Sequence, residues 1–125
     1  LMRRDDLPLL FACVEHQAWV KAIESHLRGE RDTPPELDPA QCHFGGWMQG
    51  HGSARHGRNA GFAALDTLHR QAHGLAAELC ELKNLGDAPL ALGRLGELRA
   101  HTHTLLEKIN LFIQHKRPLA LIERA

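Results

Sequence analysis

A chain of 125 residues and 13.9 kDa is one domain's worth of sequence, long enough to bury a core without staples. Hydrophobic residues make up 43% and charged residues 24%, with fifteen Lys+Arg against fifteen Asp+Glu. That neutral, globular balance lacks the basic excess that binding to nucleic acid or an anionic membrane surface requires. The longest apolar run, Leu7 to Val14, stops at Glu15, far short of the roughly 20 residues of a membrane span, and no secretory signal pattern is visible.

Two features of the composition are unusual. Tyrosine is absent and aromatics are only 5%, yet there are ten histidines, which raises the question of metal. Three cysteines at positions 13, 42 and 80 do not form a disulfide framework, so a reducing, cytoplasmic setting is expected.

Helical periodicity dominates the chain. A first helix is predicted from Asp5 or Asp6, with Pro8 in its first turn and Gly29 as its terminator. Leu9, Cys13, Val20, Ile23 and Leu27 share one broad face with His16 and Trp19. Glu30 to Leu37, with Pro34-Pro35, reads as a loop. Asp38-Pro39-Ala40-Gln41 is a capping-box pattern, starting a short helix that carries Cys42, Phe44 and Trp47 until Gly50 and Gly52 stop it.

His51 to Arg58 reads as a polar loop. Asn59 then caps a third helix with Phe62, Leu65, His69, Ala72, Ala76 and Leu79 inward, terminated at Gly86. Asp87-Ala88-Pro89 opens a fourth, with Leu95, Leu98, Leu105, Ile109 and Phe112 inward. The fold expected is all-α: an antiparallel helical bundle of three long helices plus a short helix carrying a cysteine. The bundle should span residues 5–117. Pro118 breaks or kinks the last helix, which Leu119 to Ala125 could restart, and 118–125 is expected to be an exit segment that could lead to an output module.

His69 and His73, four apart on a helix, project from one face and can reach one ion. Cys42, expected in the first turns of the short helix, gains thiolate character from the helix N-terminus. His16 adds a third imidazole, with Trp19 one turn on to shield it. Three imidazoles and a thiolate make a tetrahedral donor set suited to zinc. His43 points about 100° away from Cys42 on a helix and is excluded. His26, His51, His56, His103 and His115 are expected to face solvent, and His101 a core or dimer interface. Cys13 and Cys80 read as small hydrophobes, with Cys13 a back-up sulfur one turn before His16.

His16-x-x-Trp19, Cys42-x-Phe44-Gly45-x-Trp47 and His69-x-x-x-His73, in that order, resemble the chemoreceptor zinc-binding family. The resemblance implies a cytoplasmic helical bundle, commonly a homodimer, attached to a chemoreceptor or a diguanylate cyclase. It also implies zinc held by His16, Cys42, His69 and His73. Gly46 departs from the family, which often has a basic residue there. Four protein donors close the shell against enzymatic chemistry, so no catalysis is expected. The alternatives are a hemerythrin-like di-iron bundle, on His69-x-x-x-His73 and His103-x-x-x-Glu107 but in the wrong order, and a structural dimerisation bundle stapled by zinc. A dimer seam is expected along Leu98, Thr102, Leu105, Ile109, Phe112 and Lys116.

Overall fold

The computed structural model describes residues 6–115. Asp5, Lys116, Pro118 and the exit segment 118–125 lie outside the described residues. The elements in order are α1 (Leu7–Leu27), a 3-10 turn (Pro39–Gln41), α2 (His43–Trp47), a π turn (Met48–Gly52), α3 (Ser53–His56), α4 (Ala60–Asn84), α5 (Ala88–Gly93) and α6 (Leu95–His115). The all-α bundle expected from periodicity is what forms, and no strand occurs among the described residues.

The ends of the long helices follow their capping residues. Gly29 and Gly86 adopt φ of 81° and 91°. After each, the chain closes a Schellman motif, Glu30 N–H to Ser25 C=O at 2.9 Å and Asp87 N–H to Leu82 C=O at 2.9 Å. Asn59 Oδ1 accepts from Gly61 N–H and Phe62 N–H at 2.7 and 3.3 Å to start α4. Asp6 occupies the N-cap of α1 without a side-chain cap bond.

Two expectations about local structure are corrected. Residues 51–58 are mostly helical, because Gly50 and Gly52 do not stop the chain. Gly52 keeps helical φ/ψ of −62°/−47°, and a Cβ there would meet the rings of Phe62 and Trp47 at 2.9 and 3.0 Å. The missing side chain lets the turn pack down on those rings. The helix expected from Ala88 onward is broken at Arg94, between Gly93 and Gly96, whose low helix propensity weakens that stretch. The Arg94 guanidinium is held by Glu97 and Glu78 at 2.9 and 3.0 Å.

The core has two parts. A lower cluster joins Leu9 and Ala12 of α1, Phe62 and Leu65 of α4, and Leu105, Ile109, Phe112 and Ile113 of α6, with Phe44 and Met48 closing it. An upper cluster joins Val20, Ile23 and Leu27 with Ala72, Ala76 and Leu79, and with Leu95 and Leu98. The pairing fixes the directions: α6 runs antiparallel to both α1 and α4, which run the same way. The long connection from α1 to α4 makes that possible by returning along the bundle.

Between the clusters lies a polar layer. His16 comes from α1, His69 and His73 from α4, and Thr102 from α6, all buried. Leu98, Thr102, Leu105, Ile109 and Phe112 are therefore spent inside the chain's own core. The dimer seam expected along them is corrected: their period of three and four reflects intrachain packing.

Candidate metal centre

Four side chains meet in the polar layer. His16, Cys42, His69 and His73 each offer a donor atom, and these atoms lie within 4.8 Å of one another. Donors of a tetrahedral zinc site stand about 3.3–3.6 Å apart, given bonds of about 2.0–2.3 Å. The cluster closes around that spacing, with Cys42 Sγ 3.1 Å from His69 Nε2. The three imidazoles pack edge-to-face, with ring centroids 4.6 to 5.6 Å apart. The pattern His16, His69, His73 and Cys42 found in the sequence is thus one place in space.

Cys42 arrives there differently from expectation. It is the N-cap of α2, not a residue of its first turns, with φ/ψ of −81°/155°. The Asp38-Pro39 start belongs to the 3-10 turn, where Asp38 Oδ1 accepts from Ala40 N–H at 2.9 Å. A second cap follows at once, as Cys42 Sγ accepts from Gly45 N–H at 3.2 Å. One sulfur therefore serves as helix cap and as candidate ligand.

Gly45 explains itself in the structure. A Cβ there would stand 1.7 Å from the Pro39 carbonyl oxygen and 3.2 Å from His69 Cε1. A Cβ at Gly46 would meet nothing within 4 Å, so the departure there is sterically neutral.

The ring nitrogens show what the layer lacks. His73 Nδ1 lies 2.8 Å from the Leu37 carbonyl oxygen, which can only accept, so Nδ1 carries the proton and Nε2 the lone pair. Nε2 of His73 and Nδ1 of His16 are buried without a hydrogen-bond partner. Each such atom costs about 1–3 kcal/mol. Two unpartnered ring nitrogens beside a thiol and a third imidazole fit a borderline-soft cation, and zinc suits this donor set.

Burial fixes the protonation of the layer. It pushes the His16 imidazole down to about 4, helped by the charge of His73, and that of His69 down to about 3, helped by His16 and His73. His73 is lowered too, again by burial, against the opposing Leu37 bond. All three are neutral at pH 7, as ligands must be. Burial pushes the Cys42 thiol up, opposed by the Gly45 and Phe44 backbone N–H groups. The expected helix-terminus activation is therefore outweighed by desolvation, and a metal has to draw off the thiol proton itself.

Other histidines diverge from the sequence expectation. His26 is buried, because its Nδ1 donates to the Arg31 carbonyl at 2.9 Å and ties down the loop after α1. His56 is half-buried against Phe112, at 5.2 Å, and Phe62 and Trp47. His43 is exposed and faces Glu15 at 3.4 Å, outside the cluster. His51 and His103 are exposed and His101 is half-buried; the side chain of His115 lies outside the described residues. Cys80 is buried in the upper cluster and Cys13 flanks the lower one.

Sequence reasoning missed the Leu37 and Glu36 carbonyls, which hold His73 and Trp19. Backbone acceptors carry no side-chain signature, and only the adjoining Pro34-Pro35 hinted at an ordered loop.

These features define a helical bundle built around a buried three-imidazole, one-thiol metal centre. The family model of the chemoreceptor zinc-binding domain matches residues 16–80, just over half the chain. The chain belongs to that family, and zinc is its metal. No curated protein and no solved structure matches the chain. No described helix is long and apolar enough to cross a membrane.

Above pH 7 the buried imidazoles are neutral folded or unfolded, so their titration adds no pH dependence to metal-free stability. As pH falls below 6.5 the unfolded chain takes up protons that folded His16 refuses until about 4 and folded His69 until about 3, so stability is lost. The metal-free domain should melt at least about 5 °C lower at pH 5 than at pH 7; an unchanged melting temperature contradicts the neutral layer. Gly45→Ala should displace the Cys42 turn and lower zinc affinity at least tenfold, while Gly46→Ala leaves it unchanged, measured by chelator competition. Equal affinities in both variants would refute the packing argument.

Proposed function

We propose that this domain is a cytoplasmic, non-catalytic zinc-responsive regulator in which His16, Cys42, His69 and His73 hold one zinc ion per chain. The observation that carries this reading is the pair of buried, unpartnered nitrogens, His16 Nδ1 and His73 Nε2, facing a thiol and a third imidazole. When bound, zinc supplies a fixed positive charge that stabilises the Cys42 thiolate and ties three elements together. Four protein donors leave no open position for substrate.

His16 on α1 and His69 and His73 on α4 sit on long, packed helices. Cys42 sits on an element of one turn, the part of the site least costly to open locally. It is also the one donor of the four that oxidises to sulfenic acid. Zinc loss or oxidation frees the sulfur, loosens α2 from α1 and α4, and changes the layer against which Thr102 of α6 packs. The signal leaves through α6 toward an attached output module, such as a diguanylate cyclase or a chemoreceptor, with residues 118–125 as the exit. In this reading the bundle unit is residues 5–117.

A homodimer belongs to the same reading, since domains of this family are typically dimeric. With the α6 seam buried, Leu7, Phe11 and Val14 on α1 form an exposed apolar stripe among the described residues. It is spaced four and three, with Phe11 59% and Val14 66% exposed, and it faces away from the core.

The domain purified without chelator should carry about one zinc per chain. His69→Ala and His73→Ala should each lower zinc content at least severalfold, and His43→Ala should not. Cys42→Ala should remain folded and bind more weakly through three imidazoles. Elemental analysis that finds iron, or equal losses in all these variants, would sink the assignment.

A further inference from the structure

The connection from α1 to the Cys42 turn is a strap fastened by side chains onto its backbone carbonyls. His26 Nδ1 donates to Arg31 O at 2.9 Å, Trp19 Nε1 to Glu36 O at 2.8 Å, and His73 Nδ1 to Leu37 O at 2.8 Å. The last two fasten adjacent residues. Trp19 does more than donate. Its ring stacks on that of His73 with centroids 4.4 Å apart and an interplanar angle of 29°, and it stands 5.2 Å from the ring of His16.

One indole therefore touches two of the candidate ligands and the peptide preceding the carbonyl that selects the His73 tautomer. A ligating histidine needs its other nitrogen anchored, and that anchor tunes metal affinity tenfold to a hundredfold in general. Here the anchor is a loop carbonyl with no helix or strand to hold it. Leu37 is followed directly by Asp38, whose backbone N–H donates to Glu36 Oε1 at 3.1 Å. The same peptide run thus leads straight into the turn that presents Cys42.

We propose that Trp19 is a positioning residue for the metal centre: its indole fixes the plane of the His73 ring and pins the strap whose Leu37 carbonyl makes His73 Nε2 the donor. The proposal rests on the ligand set proposed above. Stacking removes the rotation of His73 about its last side-chain bond, and the Glu36 bond keeps the neighbouring carbonyl aimed at Nδ1. Strap and metal centre are then mutually dependent, so an ordered strap favours the ion and the ion orders the strap.

The test uses Co(II) alone as the probe, titrated into the whole metal-free chain, with affinity from chelator competition and coordination from the visible ligand-field bands. Trp19→Leu removes both stack and donor, and it should weaken Co(II) binding about tenfold to a hundredfold and shift the bands. Trp19→Phe keeps a ring over His73 but cannot donate, and it should weaken binding severalfold with bands close to wild type. Ile23→Val, a truncation in the upper cluster, should lower the melting temperature and leave affinity and bands alone. Trp19→Leu with wild-type affinity and bands overturns the proposal, as does an Ile23→Val that moves them equally. Should Trp19→Leu fail to fold, Trp19→Phe decides: wild-type affinity overturns the proposal and a severalfold loss supports it. A wild-type chain without tetrahedral, thiolate-bound Co(II) bands removes the ligand set itself, a result distinct from any difference among variants.

Discussion

Buried ring nitrogens without partners organise this molecule. The core would be simpler as one continuous apolar column through α1, α4 and α6, yet a layer of imidazoles interrupts it midway. Two nitrogens of that layer make no hydrogen bond, at about 1–3 kcal/mol each. His16 and His69 stay neutral to about pH 4 and about pH 3, and His73 is lowered in the same direction, because burial disfavours their charged forms. Edge-to-face packing of the rings recovers part of the cost. A cation that accepts four donors removes the rest, turning the weakest layer of the bundle into a bond between its two halves.

Much of the remaining architecture serves that layer. The parallel course of α1 and α4 places His16 beside the His69 and His73 pair, and it requires a connection that returns along the bundle. That connection carries the strap and the Cys42 turn. The turn is made by two caps in succession, Asp38 and then Cys42, and by the absence of a side chain at Gly45, where the Pro39 carbonyl closes in. Phe44, one residue after the His43 that starts α2, packs against both the His69 and His16 rings at 5.0 and 6.3 Å. A change at the sulfur is thereby felt in the lower apolar cluster, to which Phe44 belongs.

The long elements were legible because strong caps and apolar periods agree: Asn59 and Gly86 bound α4, and Gly29 ends α1. The candidate site was legible because the i, i+4 spacing of His69 and His73 is geometry in its own right, and because three motifs stand in a family's order. What stayed hidden was set by contacts rather than by local pattern. Glycine normally ends a helix, but Gly52 continues one because Phe62 and Trp47 fill the space beside it. His26 looked like a surface histidine until a loop carbonyl came within reach. The a/d-like spacing in α6 could not say whether its partner was the same chain or another, since intrachain and interchain packing use one periodicity. The Cys42 thiol was judged by its helix terminus, whereas desolvation is the larger effect there.

Four side chains, His16, Cys42, His69 and His73, would complete the coordination of a single zinc ion with one sulfur and three nitrogens. Zinc K-edge absorption on the purified chain measures this directly. One sulfur at about 2.3 Å and three imidazole nitrogens at about 2.0–2.1 Å are expected, with the sulfur shell lost in Cys42→Ala and retained in Cys13→Ala. A shell of nitrogen and oxygen without sulfur, or a sulfur that disappears with Cys13 instead of Cys42, would contradict it.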